Sequence, residues 1–450
     1  MGTPPAPLAV ADYNRRLNIY LSLLRHNRNF RLLFFGQAIS QLGDWFNAVA
    51  VYALLLDLTG SATAVAWMMI VQFLPIAIVG PVAGVVVDRS NRRRLMIAAD
   101  LVRGVLILGL LLVRRSDDVW IAYVVMALTV AASAFFEPAR TATIPNITSD
   151  EELLPANALS AATWSAMLAA GASVGGLVTA IAGRNIAFAI NAASFFVSAY
   201  CIGGTRYDAT PPAGGRRTGL AALTGASDLI EGLRYIRREP HVAALICVKA
   251  GWGLAGGVLL LLTIFGQRVF PVGGSAAAGI GILYGARGLG AGLGPITLRW
   301  ILGQQSRALR QAIGPAFFTV GVFYVALAGA PSLAIAALCV LCAHFGGSIL
   351  WVFSTVLLQL EVPDRFRGRV FAVELALVTL VTSASSYWTG YELDRVGRSP
   401  RLLSFALGVM FCVPGILWLL FQARWRDREV VSVPQSTPTP EEEILEGRIG

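Results

Sequence analysis

Four arginines fall within six residues, at Arg89, Arg92, Arg93 and Arg94, directly between two long apolar runs. Hydrocarbon cannot hold such a cluster, so the segment GPVAGVVVDRSNRRRLM, residues 80–96, must be a tight turn at a membrane face. Arginine density of this kind in a short loop marks that face as cytoplasmic. Composition agrees with a chain dissolved in lipid. Charged residues make up 14% of the sequence and apolar residues 56%, against about 25% charged in soluble domains. The net charge of +10 raises the question of a nucleic-acid partner. The arginines, however, are scattered over short loops between apolar runs rather than gathered on one basic face, so the expected partner is the bilayer and no nucleic acid.

A helix needs about 20 apolar residues to cross a hydrocarbon core roughly 30 Å thick. Twelve runs qualify, at residues 31–56, 63–87, 95–113, 119–137, 157–182, 185–204, 242–266, 277–299, 309–330, 333–360, 370–391 and 402–423. With both termini in the cytoplasm, seven of the 36 basic residues lie outside: Arg114, Arg115, Arg184, Arg268, Arg395, Arg398 and Arg401. Three more, Arg103, Lys249 and Arg287, lie well inside spans, which leaves 26 on cytoplasmic segments or, as with Arg31, Arg299 and Arg310, at the cytoplasmic ends of spans. The reverse orientation would invert that bias. Residues 1–29 carry arginines but no apolar core of signal-peptide length, so the first span is expected to direct insertion into the cytoplasmic membrane.

The expected architecture is an all-α polytopic membrane protein with twelve transmembrane helices in two six-helix bundles. A cytoplasmic segment, 1–29, precedes the first bundle, 30–204. A cytoplasmic linker, 205–240, leads to the second bundle, 241–424, and a disordered acidic tail, 425–450. Within the linker Leu220, Leu223, Leu229, Leu233 and Ile236 recur at helical spacing opposite Asp228, Glu231, Arg234 and Arg238. That pattern predicts an amphipathic helix lying on the membrane or against the bundle. The halves echo each other faintly, with GPVAGVVVDRSNRRR after span two facing GLGPITLRWILGQQSRALR after span eight. Such repeats suggest two duplicated bundles around a central cavity.

The pattern Gly84-x-x-x-Asp88-Arg89-x-x-Arg92-Arg93 resembles the loop between helices two and three of major facilitator superfamily transporters. Residues 36–67, GQAISQLGDWFNAVAVYALLLDLTGSATAVAW, resemble span one and its exit in the drug and siderophore exporters grouped with macrolide-efflux and enterobactin-efflux proteins. FFEPARTATIPNITSDEELLPANALSA, residues 135–161, resembles that group's loop between helices four and five, and VPDRFRGRVFAVE, residues 362–374, its loop between ten and eleven. The resemblance implies the major facilitator fold and a cytoplasmic gate in which Asp88 meets helix eleven near Arg369. Asn91 stands where the family has glycine; asparagine tolerates a left-handed turn, so the turn is expected to survive. The run from Gly171 to Gly176 resembles the end of an antiporter motif, although close helix packing explains its small residues equally well.

Charges inside spans each need a reason, since one costs about 2.5–3.5 kcal/mol on insertion scales. Gln37, Gln41, Asp44 and Asn47 share a helical face about 120° wide, and Asp44 lies roughly 20 Å in from Phe30. Burial favours the neutral carboxyl, which makes Asp44 the leading candidate to take up and release a proton. Glu374 is the second. Lys249 is the one lysine in the chain, with Trp252 close behind it, and these two join Arg287 and His344 as candidates for the cavity wall. For Lys249 snorkelling to the interface is the alternative, and for His344 a helix-packing role. Asp100 and Arg103, three apart, are expected to form a structural ion pair alongside the gate residues Gly84, Asp88, Arg89, Arg92 and Arg93. Trp164, Tyr284, Tyr387 and Trp388 suit large, partly apolar ligands.

The arginine that proton-coupled drug exporters often carry within helix four is missing until Arg140, so coupling would need another acid. Cys339 and Cys342 lie in an apolar run without a second pair to complete a zinc site, and no phosphate-binding loop is present. Neither enzyme chemistry nor a cofactor is expected. The sequence points to a monomeric secondary transporter exporting a small amphipathic organic compound, in exchange for protons, by alternating access. A siderophore exporter is the alternative, and more distantly an uptake transporter of the same fold.

Overall fold

The computed structural model describes residues 20–207, 226–302 and 305–425. Six helices make the first half: α1 (Arg28–Thr59), α2 (Ala62–Arg89), α3 (Arg92–Leu108), α4 (Val119–Ile147), α5 (Asp150–Ala182) and α6 (Arg184–Gly203). The second half opens with the short α7 (Ala226–Arg238) and a broken rod, α8 (Pro240–Leu254) plus α9 (Val258–Ile264). It continues with α10 (Ala276–Leu302), α11 (Ser306–Ala328), α12 (Leu333–Glu361), α13 (Asp364–Tyr391) and a second broken rod, α14 (Pro400–Met410) plus α15 (Cys412–Trp425). Among the described residues eleven of these rods are long and apolar enough to cross a membrane. The twelfth, α10, is long enough but is diluted by seven glycines and Arg287. Each rod coincides with one of the twelve apolar runs.

Helix ends explain why the turns can be so short. Asn27 caps α1 by accepting from Phe30 N at 2.9 Å and donates to Ile147 O and Glu152 Oε2, tying three helix ends together. Ser149 and Glu152 form a capping box at the start of α5. The α4–α5 connection is therefore only Thr148 and Ser149. Most of residues 135–161, expected as a loop, is helix, and α4 runs on to Ile147 with Pro138 and Pro145 inside it. Asn91 is not left-handed either. Its φ is −65°, and its side chain accepts from Arg94 N at 3.0 Å, so it serves as the N-cap of α3 and the turn needs no glycine.

The amphipathic linker helix packs against the bundle. Tyr235 of α7 stacks on Phe366 at 4.4 Å, and Glu231 pairs with Arg369 of α13 at 2.8 Å. Gly232 and Ile236 face the bundle, while Leu233, expected on the apolar face, stays 45% exposed beside Ile230. Leu220 and Leu223 lie outside the described residues, as do the side chains of Asp228 and Leu229.

The two halves meet along α5 and α10. A β-carbon at Gly281 would lie 2.6 Å from Ala172 O and 2.9 Å from the Gly176 Cα, so the backbones touch there. The contact continues through Gly288 against Ala169 and loosens at Gly292, where a β-carbon would find only Ser165, at 3.4 Å. Glycines 171 and 175, singled out for an antiporter resemblance, are close-approach positions too, against Trp45 and Phe46 of α1. The seam lies toward the end of the molecule remote from residues 89–94. At the arginine-rich end the halves part: β-carbons at Gly80 and Gly84 of α2 would meet nothing within 4 Å.

Gly281→Leu is expected to force α5 from α10 and lower stability by about 1–3 kcal/mol, seen as a lower melting temperature in detergent. Gly80→Leu should leave the melting temperature nearly unchanged. Equal effects would contradict the seam.

Candidate functional site

Where the halves part, a cavity of about 570 Å³ enters the first half. Its wall runs from Asn157 and Ser160 past Ile144, Arg140 and Glu137 to Gln37, Gln41 and Asp44, with Trp45 and Trp164 at its inner edge. The polar face of α1 thus divides. Gln37, Gln41 and Asp44 line the cavity, while Asn47 turns into the first half and donates to Met126 Sδ at 3.3 Å.

The charges sort into paired and unpaired. Arg103 pairs with Asp100 on the same helix, and its guanidinium lies 4.4 Å from the ring centroids of both Phe136 and Phe195. It also donates to Ser133 Oγ at 3.3 Å. The expected Asp100–Arg103 pair is present, buried within the first half, and its second contacts are aromatic rings. In the second half Lys249 Nζ meets Glu374 Oε2 at 2.8 Å, both nearly inaccessible, with Trp351 at 4.9 Å and Phe371 at 5.9 Å from the ammonium. The lysine and the second candidate acid therefore neutralise each other. Lys249 is 5% exposed, so it does not snorkel. Each half contains one buried ion pair whose cation lies against two aromatic faces.

Two charges have no such partner. Among the described residues Asp44 makes no hydrogen bond or ion pair, although Arg103 and Glu137 share its cavity. Arg287 of α10 is likewise without an anion. Its guanidinium sees only rings: Tyr284 at 5.5 Å, Trp45 at 5.7 Å and Trp164 at 6.0 Å. Trp45, next to Asp44 in the chain, lines the cavity with it and also faces the Arg287 guanidinium of the second half. Tyr284 is buried, donates to Leu259 O at 3.1 Å and approaches the Tyr52 ring at 6.1 Å.

The remaining candidates lie apart from this cavity. His344 is 6% exposed and bonded through Nε2 to Tyr324 Oη at 2.9 Å between α11 and α12, the packing arrangement. Trp252 packs edge-on against Trp351 at 5.9 Å, beside Lys249. Arg92 donates to Ala142 O at 2.9 Å, and Arg93 to the carbonyls of Ile202 and Gly203 at the end of α6. Both staple the turn to their own half in this conformation. Arg89 is exposed, Gly84 stands clear of any neighbour, and the side chain of Asp88 lies outside the described residues. Tyr387 faces Trp67 of α2 at 5.4 Å, toward the remote end.

Trp45, Glu137 and Arg140 are cavity residues that the sequence reading did not single out. Glu137, the last residue of the expected span 119–137, pairs with Arg140 at 2.8 Å on a helical turn that continues past the expected end of that span. Its position three before Arg140 was the available signal.

Comparison with known proteins bears on the whole chain. The model of the Major Facilitator Superfamily matches residues 33–374. The chain is similar to macrolide efflux protein A of Streptococcus pyogenes, at 24% identity over 82% of this chain and 91% of that protein. It is similar also to the multidrug efflux pump Tap of Mycolicibacterium fortuitum, at 26% identity over 90% of this chain and 98% of that one. A crystal structure of the peptide transporter POT shares the fold, with a TM-score of 0.69 at 14% identity, covering 91% of this chain and 98% of that chain.

Removing one member of a buried pair strands the other at a cost of about 3–5 kcal/mol. Lys249→Met is therefore expected to destabilise the protein strongly in a denaturation titration, and the double variant Lys249→Met, Glu374→Met to recover most of the loss. Additive losses would show that the two do not act as a pair.

Proposed function

The chain belongs to the Major Facilitator Superfamily, and from that premise we propose that it exports a small amphipathic organic compound from the cytoplasm in exchange for protons. The relatives named for efflux support the direction, and the arginine bias of the loops supports the orientation, with both termini and the open cavity facing the cytoplasm. The observation that carries the reading is Asp44. Among the described residues this carboxyl makes no hydrogen bond or ion pair, and it faces a cavity, so it has access to water and no fixed counterion. It can then bind a proton when the cavity is empty and surrender it when a polar or cationic group arrives. Glu374, already neutralised by Lys249, is less free to do so.

In this reading substrate enters from the cytoplasm along Asn157 and Thr141 and settles against Trp45 and Trp164. These rings supply apolar area without demanding a single shape, which suits a binder of amphipathic compounds. Rocking of the halves about the α5–α10 seam then exposes the site to the other side. The proposed gate at the arginine-rich end comprises Gly84, Asp88, Arg89, Arg92 and Arg93, backed by the Asp100–Arg103 pair, and would close in that second state.

Arg287 favours a second reading, export of an anionic compound such as a siderophore. Its guanidinium has rings around it but no counterion among the described residues, so an acidic group on the substrate would complete it.

Efflux assays in cells stripped of their own exporters separate these. Wild type is expected to extrude a macrolide or a cationic dye, and Asp44→Asn to lose at least tenfold of the rate while reaching the membrane in equal amount. Equal efflux by both would remove Asp44 from the coupling role. If the physiological substrate is anionic, Arg287→Gln should abolish export of a catecholate while sparing the dye.

A further inference from the structure

The sequence around Asp88 has a second copy that is closer than the expected one after span eight. Gly84-x-x-x-Asp88-Arg89-x-x-Arg92 ends α2, and Gly390-x-x-x-Asp394-Arg395-x-x-Arg398 ends α13. Glycine, acid and both arginines recur at identical spacing. Because α2 and α13 run in opposite directions, the copies lie at opposite ends of the same helix pair, one in each half.

At the remote end the structure shows what the copy does. The Asp394 carboxylate reaches across to the start of α2 and accepts three hydrogen bonds there. They come from Ser61 Oγ at 2.7 Å, Ala62 N at 3.0 Å and Thr63 N at 2.7 Å. These amides open the helix and have no carbonyl of their own turn to bond, so a carboxylate is their natural partner. Arg268, also of the second half, donates to Gly60 O at 2.7 Å and stands 3.7 Å from Asp394. The glycine serves the same contact. A β-carbon on Gly390 would lie 3.0 Å from the Thr63 Cα, so only glycine lets α13 approach closely enough for Asp394 to reach. Gly397, with φ of 75°, turns the chain so that Arg398 folds back onto Glu392 at 2.6 Å.

The two ends are in opposite conditions. Gly390 is pressed against α2, whereas Gly84 has nothing within 4 Å. We propose that Asp394, with Gly390 and Arg268, is the latch that shuts the remote side of the transport path, and that it works in alternation with the Asp88 copy at the arginine-rich end. This rests on the alternating-access reading of the chain. The hydrogen bonds of Asp394 and Arg268 to residues 60–63, and the approach of Gly390 to Thr63, all cross between the halves, so each must break when the remote side opens. Asp394 binds no substrate in this scheme; it sets the balance between the two states.

Double electron–electron resonance tests this without substrate, so its result stands apart from the export reading. Spin labels are placed on a background lacking the five native cysteines. Exposed positions Asp117 and Ala334 report the remote end, and Glu151 and Arg307 the arginine-rich end. In wild type the remote pair should be short and the other pair long. Asp394→Ala is expected to raise the remote-open population on the order of tenfold, as loss of charge-assisted hydrogen bonds implies, and to shorten the opposite distance. Asp88→Ala should shift both distances the other way. Unchanged distributions in Asp394→Ala, or a shift in the same direction in both variants, would overturn the proposal. Should Asp394→Ala fail to give monodisperse protein, Asp394→Asn decides. It keeps one acceptor oxygen, so a smaller shift in the same sense supports the latch and no shift overturns it.

Discussion

Hydrocarbon supplies no counterion, and most of this molecule follows from that. A charge placed among apolar helices must find its partner within the protein, sit against aromatic faces, or border water. Arg103 and Lys249 take the first two courses together: each is paired with a carboxylate and flanked by two rings, and each pair is internal to one half. Such pairs stay intact while the halves move as rigid bodies. Asp44, in the first half, takes the third course and borders the cavity, while Arg287, in the second, takes the second course alone, against Trp45, Trp164 and Tyr284. In the proposed rocking of the halves theirs are the surroundings that would change, which is why the proposal rests on them.

The seam would let the proposed rocking occur at low cost. Glycine against glycine at 176 and 281, and glycine against alanine at 288 and 169, bring two backbones into contact, with the small Ser173 side chain seated against Gly285 between them. Surfaces so smooth can roll on each other, whereas interdigitated side chains would have to withdraw first. Polar contacts are concentrated instead at the rim, where Asp394 and Arg268 bond backbone atoms of the other half. The broken rod α8–α9 follows the same logic inside the second half. A β-carbon at Gly257 would overlap Thr389 Oγ1, and the amide freed by the break donates to Ser385 Oγ at 3.0 Å, so the interruption leaves no orphan donor in the membrane.

The twelve rods are legible in sequence because hydropathy acts over some twenty residues and needs no knowledge of neighbours. The polar stripe of α1 is legible for a similar reason, since helical spacing alone places Gln37, Gln41 and Asp44 on one face. What the spacing cannot give is the partner. Lys249 and Glu374 are 125 positions apart, and only the packing of α8 on α13 reveals that each neutralises the other. His344 looks the same in sequence whether it faces a cavity or Tyr324. Glu137 escaped because it is the last residue of the apolar run 119–137, whereas the chain continues as helix to Ile147 past Pro138 and Pro145. The copy of the Asp88 motif at Gly390 was within reach of inspection. It was missed because a parallel repeat directs attention to span eight, while the two ends of one helix pair are what the contact relates.

If Asp44 is the group that exchanges a proton for substrate while the buried pairs hold the frame, proton movement must depend on it alone. The most direct measurement is internal pH in proteoliposomes during uptake of a substrate identified by efflux, for wild type, Asp44→Asn and Glu374→Gln. Wild type and Glu374→Gln should move protons opposite to substrate, the latter more slowly if its frame is weakened, and Asp44→Asn should move none. Proton movement that survives in Asp44→Asn and vanishes in Glu374→Gln would assign coupling to the Lys249–Glu374 pair and contradict this account.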